Sequence, residues 1–121
     1  MAESVLRDKA KTFAKEIVLL CRKLKQNYVE NALLNQLLRS GTSVGANIHE
    51  AQYAQGKKDF ISKLEIALKE ASETGYWLEL LYRTKYIDEQ TFKALSSKCT
   101  SLRAMLIASC RTAKENSDAK K

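Results

Sequence analysis

The sequence predicts an all-α protein, an antiparallel up-and-down four-helix bundle forming one domain over residues 1–121. Three observations predict it. The chain has no proline and only four glycines, so no position has to break a helix sterically. Leu, Ala, Lys and Glu are abundant, and these are strong helix formers. Apolar residues recur at alternating steps of three and four over four separate stretches, which is the spacing of one helix face.

The first stretch aligns Leu6, Ala10, Phe13, Ile17, Leu20 and Leu24. Asn27 and Tyr28 open a connection, and Asn31 offers an N-cap to the next helix. The second stretch carries Leu34, Leu37, Leu38, Gly41, Val44, Ile48 and Ala51, and Gly56-Lys57 marks the turn after it. The third carries Phe60, Leu64, Ala67, Ala71, Thr74, Leu78 and Leu81. Asp88 is the expected N-cap of the last helix, whose stripe is Phe92, Leu95, Cys99, Leu102, Leu106 and Ser109. From about Glu115 the tail is polar and is expected to fray. Helices of roughly 20–28 residues with short links make sequence neighbours antiparallel, which puts the fourth beside the first. The steady three–four spacing favours crossing angles of about 20°.

Cysteine usage and the chain start exclude several classes. Cys21, Cys99 and Cys110 are odd in number and form no C-x-x-C pair, so neither a zinc nor a redox motif is present. They read as small buried hydrophobes of a reducing compartment. Charges at the N-terminus come too early for a signal peptide, and the longest apolar run, Ile17–Cys21, is far too short to span a bilayer. The expectation is a cytoplasmic protein with no membrane association, no metal and no cofactor.

Residues 41–45, Gly-Thr-Ser-Val-Gly, match the G-x-S-x-G pattern of a hydrolase nucleophile elbow. That elbow needs a strand before the serine, and none is predicted here. The single histidine, His49, would point roughly 120° away from Ser43 at about 100° per helical residue, so it is not placed as a base. A P-loop is excluded because Gly41 and Gly45 are separated by three residues and no Lys-Ser/Thr follows. Two readings of the glycines remain. One is a small-x-x-x-small face that admits a neighbouring backbone, offsetting roughly 1 kcal/mol per mid-helix glycine. The other is a break in the second helix.

Polar residues are patterned too. Arg39, Ser43, Asn47 and Glu50 run down one side of the second helix, and Glu70, Glu73 and Trp77 run down the third. With the turn centred near Gly56, Arg39 comes level with Glu73 and Ser43 with Glu70. A polar ladder between the helices follows, drawn inward by Trp77, which seeks burial. Such pairs can fix register more than they add stability.

The net charge of +7 is uneven. Residues 1–25 hold seven Lys/Arg against three Asp/Glu, and residues 89–121 again hold seven against three. Residues 26–88 hold seven against eight. Lys11, Lys15, Arg22 and Lys25 form a basic stripe on the first helix, and Lys93, Arg103, Arg111 and Lys114 a looser one on the fourth. Such stripes suit a phosphate backbone. Net positive charge also keeps proteins soluble.

The segment Arg39-Ser40-x-x-Ser43-Val44-x-x-Asn47-Ile48-x-Glu50 resembles the signature of the bacterial four-helix-bundle family named for proteins encoded in intervening sequences of 23S rRNA genes. Lys69, Glu70, Ala71, Glu73, Thr74, Tyr76, Trp77 and Leu78 resemble that family's third helix. Ala51 departs from the pattern, since many relatives carry glycine there. The resemblance implies a homopentameric ring. It also implies kinship with the accessory variability determinant of diversity-generating retroelements, a basic bundle protein that works with a reverse transcriptase and nucleic acid. It implies no catalytic residues. The expected function is therefore a non-enzymatic, oligomeric bundle that binds RNA or DNA through helices one and four. The alternative is a protein–protein scaffold that binds no nucleic acid.

Overall fold

The four apolar stripes become four helices in the computed structural model, which describes residues 2–119, with side chains described for 4–116. They are α1 (Ala2–Gln26), α2 (Asn31–Ala51), α3 (Lys57–Arg83) and α4 (Glu89–Ala119), with no strand among the described residues. Chain neighbours pack along long seams, and α1 meets α4 more slightly. The core is the union of the stripes, with Phe13, Ile17, Leu37, Leu78, Leu102 and Leu106 among its fully buried members. Tyr82 and Phe92 stack with ring centroids 4.5 Å apart and tie α3 to α4. Leu38, placed on the core stripe by spacing, instead stands 37% exposed at the edge of that stripe. No helix of the described residues is long and apolar enough to cross a membrane.

The helix ends differ from the sequence expectation in instructive ways. Asn31 is the first residue of α2, not its cap. Glu30 holds the cap position and makes no side-chain cap bond, because its carboxylate accepts the Tyr86 hydroxyl at 2.8 Å. Asp88 does cap α4, its Oδ1 accepting the Thr91 amide at 2.7 Å. α4 continues to Ala119, past Glu115, where polar composition suggested fraying.

α1 and α3 end alike, and without glycine. Tyr28 (φ 62°) and Lys85 (φ 68°) take the left-handed conformation. The Tyr28 and Val29 amides donate to the Lys25 and Leu24 carbonyls, and the Lys85 and Tyr86 amides donate to those of Tyr82 and Leu81. This is the Schellman pattern, in which a left-handed residue lets the chain reverse and satisfies orphan carbonyls. Val29 and Ile87 are then buried and seal this end of the bundle.

The helix α2 runs unbroken through Gly41 and Gly45. At Gly41 a Cβ would lie 2.9 Å from Cγ2 of buried Ile17, so absence of a side chain is what admits α1 there. At Gly45 the nearest atom, the Ala10 carbonyl oxygen, is at an ordinary 3.5 Å. Only the first glycine is sterically required.

Candidate nucleic-acid interface

The α2–α3 seam consumes its polar groups internally. Arg39 donates to Glu70 at 2.8 Å and also to Glu73, bridging the two carboxylates. The Trp77 indole donates to the same Glu73 at 3.0 Å, and Tyr76 packs edge-on against Trp77. Further along, Lys63 pairs with Glu50 at 3.4 Å. The register is the one expected from a turn near Gly56. Two members behave otherwise. Ser43 does not reach Glu70, because its hydroxyl donates to the Arg39 carbonyl one turn back, at 2.6 Å. Asn47 likewise donates to the Ser43 carbonyl at 2.9 Å. Short polar side chains on helices prefer such local carbonyls.

Beneath the ladder lies a pair that spacing alone does not single out. The hydroxyls of Ser40 and Thr74, 3.0 Å apart, are fully buried between the same two helices. Thr74 also reaches the Glu70 carbonyl at 2.8 Å. A sequence signal for it existed: in the antiparallel register that pairs Arg39 with Glu73, Ser40 falls within two residues of level with Thr74.

Ser43 and His49 make no contact with each other. His49 lies exposed near Tyr53, with ring centroids 5.4 Å apart. The three cysteines are free and buried. Burial pushes all three thiols up, Cys21 to about 11. The Cys99 thiol donates to the Ala71 carbonyl at 3.0 Å.

Among the described residues, the basic residues of α1 are unpaired, and those of α4 are paired in part. Lys11, Lys15, Arg22 and Lys25 are all exposed, and none has a carboxylate within ion-pairing distance among the described residues. On α4, Lys93 pairs with Glu89 at 2.8 Å, which holds its ammonium above the usual lysine range. Lys114 pairs with Glu65 of α3 at 3.1 Å. Arg103 and Arg111 are exposed without an ion pair among the described residues.

The two stripes do not meet. The groove between α1 and α4 is lined by Asp8, Lys9, Thr12, Lys98, Ser101 and Leu102, none of them from either stripe. Glu16 and Lys98 pair across this seam. The α1 stripe lies roughly 135° around the helix from Glu16 at 3.6 residues per turn, and Lys114 turns the α4 stripe toward α3. Adjacency of helices does not set their rotation. The facing residues are those beside the core stripe, as Glu16 is beside Ile17 and Lys98 beside Cys99.

The family model of the 23S rRNA-intervening sequence protein matches residues 3–108. The fold is similar to the crystal structure of a protein of unknown function of the S23 ribosomal protein family from Bacteroides thetaiotaomicron VPI-5482, with a TM-score of 0.89 and 47% identity. That likeness covers 92% of this chain and 99% of the other. Among curated proteins nothing matches. With the match spanning all but the ends of the bundle, the chain belongs to the family of 23S rRNA-intervening sequence proteins.

Proposed function

We propose that this protein is a non-enzymatic, oligomeric, cytoplasmic bundle protein that binds nucleic acid through the outer face of α1. The observation that carries the reading is the contrast in ion pairing. Lys11, Lys15, Arg22 and Lys25 stand exposed in one stripe with no carboxylate partner among the described residues, whereas Lys93, Lys98 and Lys114 of α4 are paired. Unneutralised cations in a row release the condensed counterions of a phosphate backbone, which drives binding and makes it salt-dependent. Arg103 and Arg111 of α4 form a second, lesser site in this reading.

The test is fluorescence anisotropy of labelled RNA and DNA oligonucleotides over a range of KCl concentrations. The parent is expected to bind with a steep salt dependence. Removing one cation that touches a phosphate flattens the log-affinity versus log-salt slope by about 0.7–0.9. Lys11→Glu/Lys15→Glu/Arg22→Glu is expected to abolish binding while keeping the helical signal and melting temperature of the parent. A triple variant that binds with unchanged affinity and slope places the site elsewhere.

Exposed Ile66 and Tyr76 on α3, beside half-buried Trp77, favour self-association as a part of the same reading. A closed homo-oligomer, a pentamer as the family resemblance implies, is the proposed assembly, with a reverse transcriptase as a candidate partner. Light scattering that returns the 13.7 kDa monomer mass at micromolar concentration contradicts the assembly. An oligomer that binds no oligonucleotide favours the scaffold alternative.

A further inference from the structure

Resting on the nucleic-acid reading of α1, we propose that Tyr28 is a stacking platform for an unpaired base, so that the preferred ligand is single-stranded. Tyr28 is the residue at which α1 ends. It is 93% exposed, and no aromatic partner of it is present among the described residues. It therefore contributes almost no packing to the fold. Its backbone is nonetheless left-handed, with φ 62°, a conformation that glycine or asparagine adopts at less cost than an aromatic residue. The position holds a large aromatic side chain where folding alone favours a small residue. Strain of this kind points toward function.

The surroundings fit a nucleic-acid strand. The Tyr28 amide donates to the Lys25 carbonyl at 3.1 Å, which fixes the residue at the end of the basic stripe. From Ile17 to Val29 the chain carries Arg22, Lys23 and Lys25 and no carboxylate. The next carboxylate, Glu30, is held by the Tyr86 hydroxyl of the α3–α4 connection at 2.8 Å. The stripe from Lys11 to Lys25 is about 21 Å long at 1.5 Å per residue. A strand whose phosphates follow it reaches Tyr28 with its next base free to stack. Every base has a π-face, so this contact discriminates unpaired from paired nucleotides and is tolerant of sequence. A duplex offers no such base except at its ends.

The experiment measures binding of the full chain to a labelled single-stranded oligonucleotide and to a duplex of the same length, across KCl concentrations. Three proteins are compared: the parent, Tyr28→Asn and Tyr28→Trp. Asparagine tolerates the left-handed backbone and lacks the ring, and tryptophan keeps a stacking surface. The parent is expected to prefer the single strand. Tyr28→Asn is expected to lose about 5- to 150-fold in single-strand affinity, the range for one base–aromatic stack, with the salt slope and duplex binding unchanged. Tyr28→Trp is expected to restore the parent's affinity. Binding by Tyr28→Asn as tight as the parent's overturns the stacking role and leaves the α1 reading intact. A parent that binds neither oligonucleotide overturns that reading, and the stacking proposal with it. A flattened salt slope in Tyr28→Asn shows that the loss came from displaced cations and also overturns the proposal.

Discussion

The helix α2 and the outer face of α1 make opposite use of their non-apolar residues. On α2, the polar and small residues that face α1 and α3 are taken up by those neighbours. Gly41 receives Ile17 of α1, Ser40 meets Thr74, and Arg39 bridges Glu70 and Glu73. On α1, Lys11, Lys15, Arg22 and Lys25 stand exposed and pair with no carboxylate among the described residues. The difference teaches where each kind of substitution will register. Changes on α2 are expected to alter folding stability, and changes on the outer face of α1 are expected to leave it unaltered and to act on the proposed binding alone.

The largest expected break is at Gly41. Gly41→Val inserts a branched side chain where even a Cβ lies 2.9 Å from Ile17 Cγ2. Overpacking of this kind costs about 2–3 kcal/mol, measurable by urea unfolding. Gly45→Ala sharpens the contrast, because its Cβ meets nothing closer than 3.5 Å. It is expected to gain up to about 1 kcal/mol through helix propensity. Equal effects at the two glycines contradict this asymmetry.

The buried hydroxyl pair comes next. Thr74→Val removes a partner of Ser40 while keeping the shape of the side chain, at a cost of about 1–2 kcal/mol. Ser40→Ala/Thr74→Val is expected to cost less than the sum of the single changes, since each single change takes a partner from the other hydroxyl and the double change leaves neither hydroxyl behind. Strict additivity in the unfolding free energies shows that the hydroxyls are not coupled.

The ion-pair ladder is weaker, because Arg39 is 47% exposed even though Glu70 is 12% exposed. A double-mutant cycle on Arg39→Ala and Glu73→Ala is expected to give a coupling of about 0.5–1 kcal/mol. A smaller effect concerns alkaline pH. The folded Cys21 thiol keeps its proton up to about 11 against an ordinary 9.0. The unfolded chain binds fewer protons in that window, so this stabilisation is complete below pH 9 and is lost as pH rises toward 11. Melting temperatures between pH 8 and 11 are expected to fall more in the parent than in Cys21→Ser. At the foot of the scale, Lys11→Ala, Lys15→Ala and Lys25→Ala are each expected to move stability by less than about 0.5 kcal/mol.

The fold was legible because the three–four period is carried by nearly every core position, from Leu6 to Leu106. The α2–α3 register was legible because a short turn at Gly56 fixes which residues lie level, and Arg39 duly meets Glu73. The relation of α1 to α4 was not, because no turn joins them. Their rotation is set through α2 and α3, which turned Glu16 and Lys98 inward and left the two basic stripes apart. The helix ends at Tyr28 and Lys85 were hidden for another reason. A left-handed cap is signalled in sequence by glycine, and neither position has one. Ser40 escaped notice because a serine reads as polar until its partner, Thr74, is placed opposite it.

The separation of duties is tested most directly by one crossed measurement. Arg39→Glu and Lys11→Glu/Lys15→Glu/Arg22→Glu are each assayed for melting temperature and for oligonucleotide affinity at one fixed salt concentration. Arg39→Glu is expected to lower the melting temperature and to retain oligonucleotide affinity within a few-fold. The triple variant is expected to melt with the parent and no longer bind. A triple variant that binds as the parent does contradicts this division between the two helices, as does one whose loss of binding tracks an equal loss of stability.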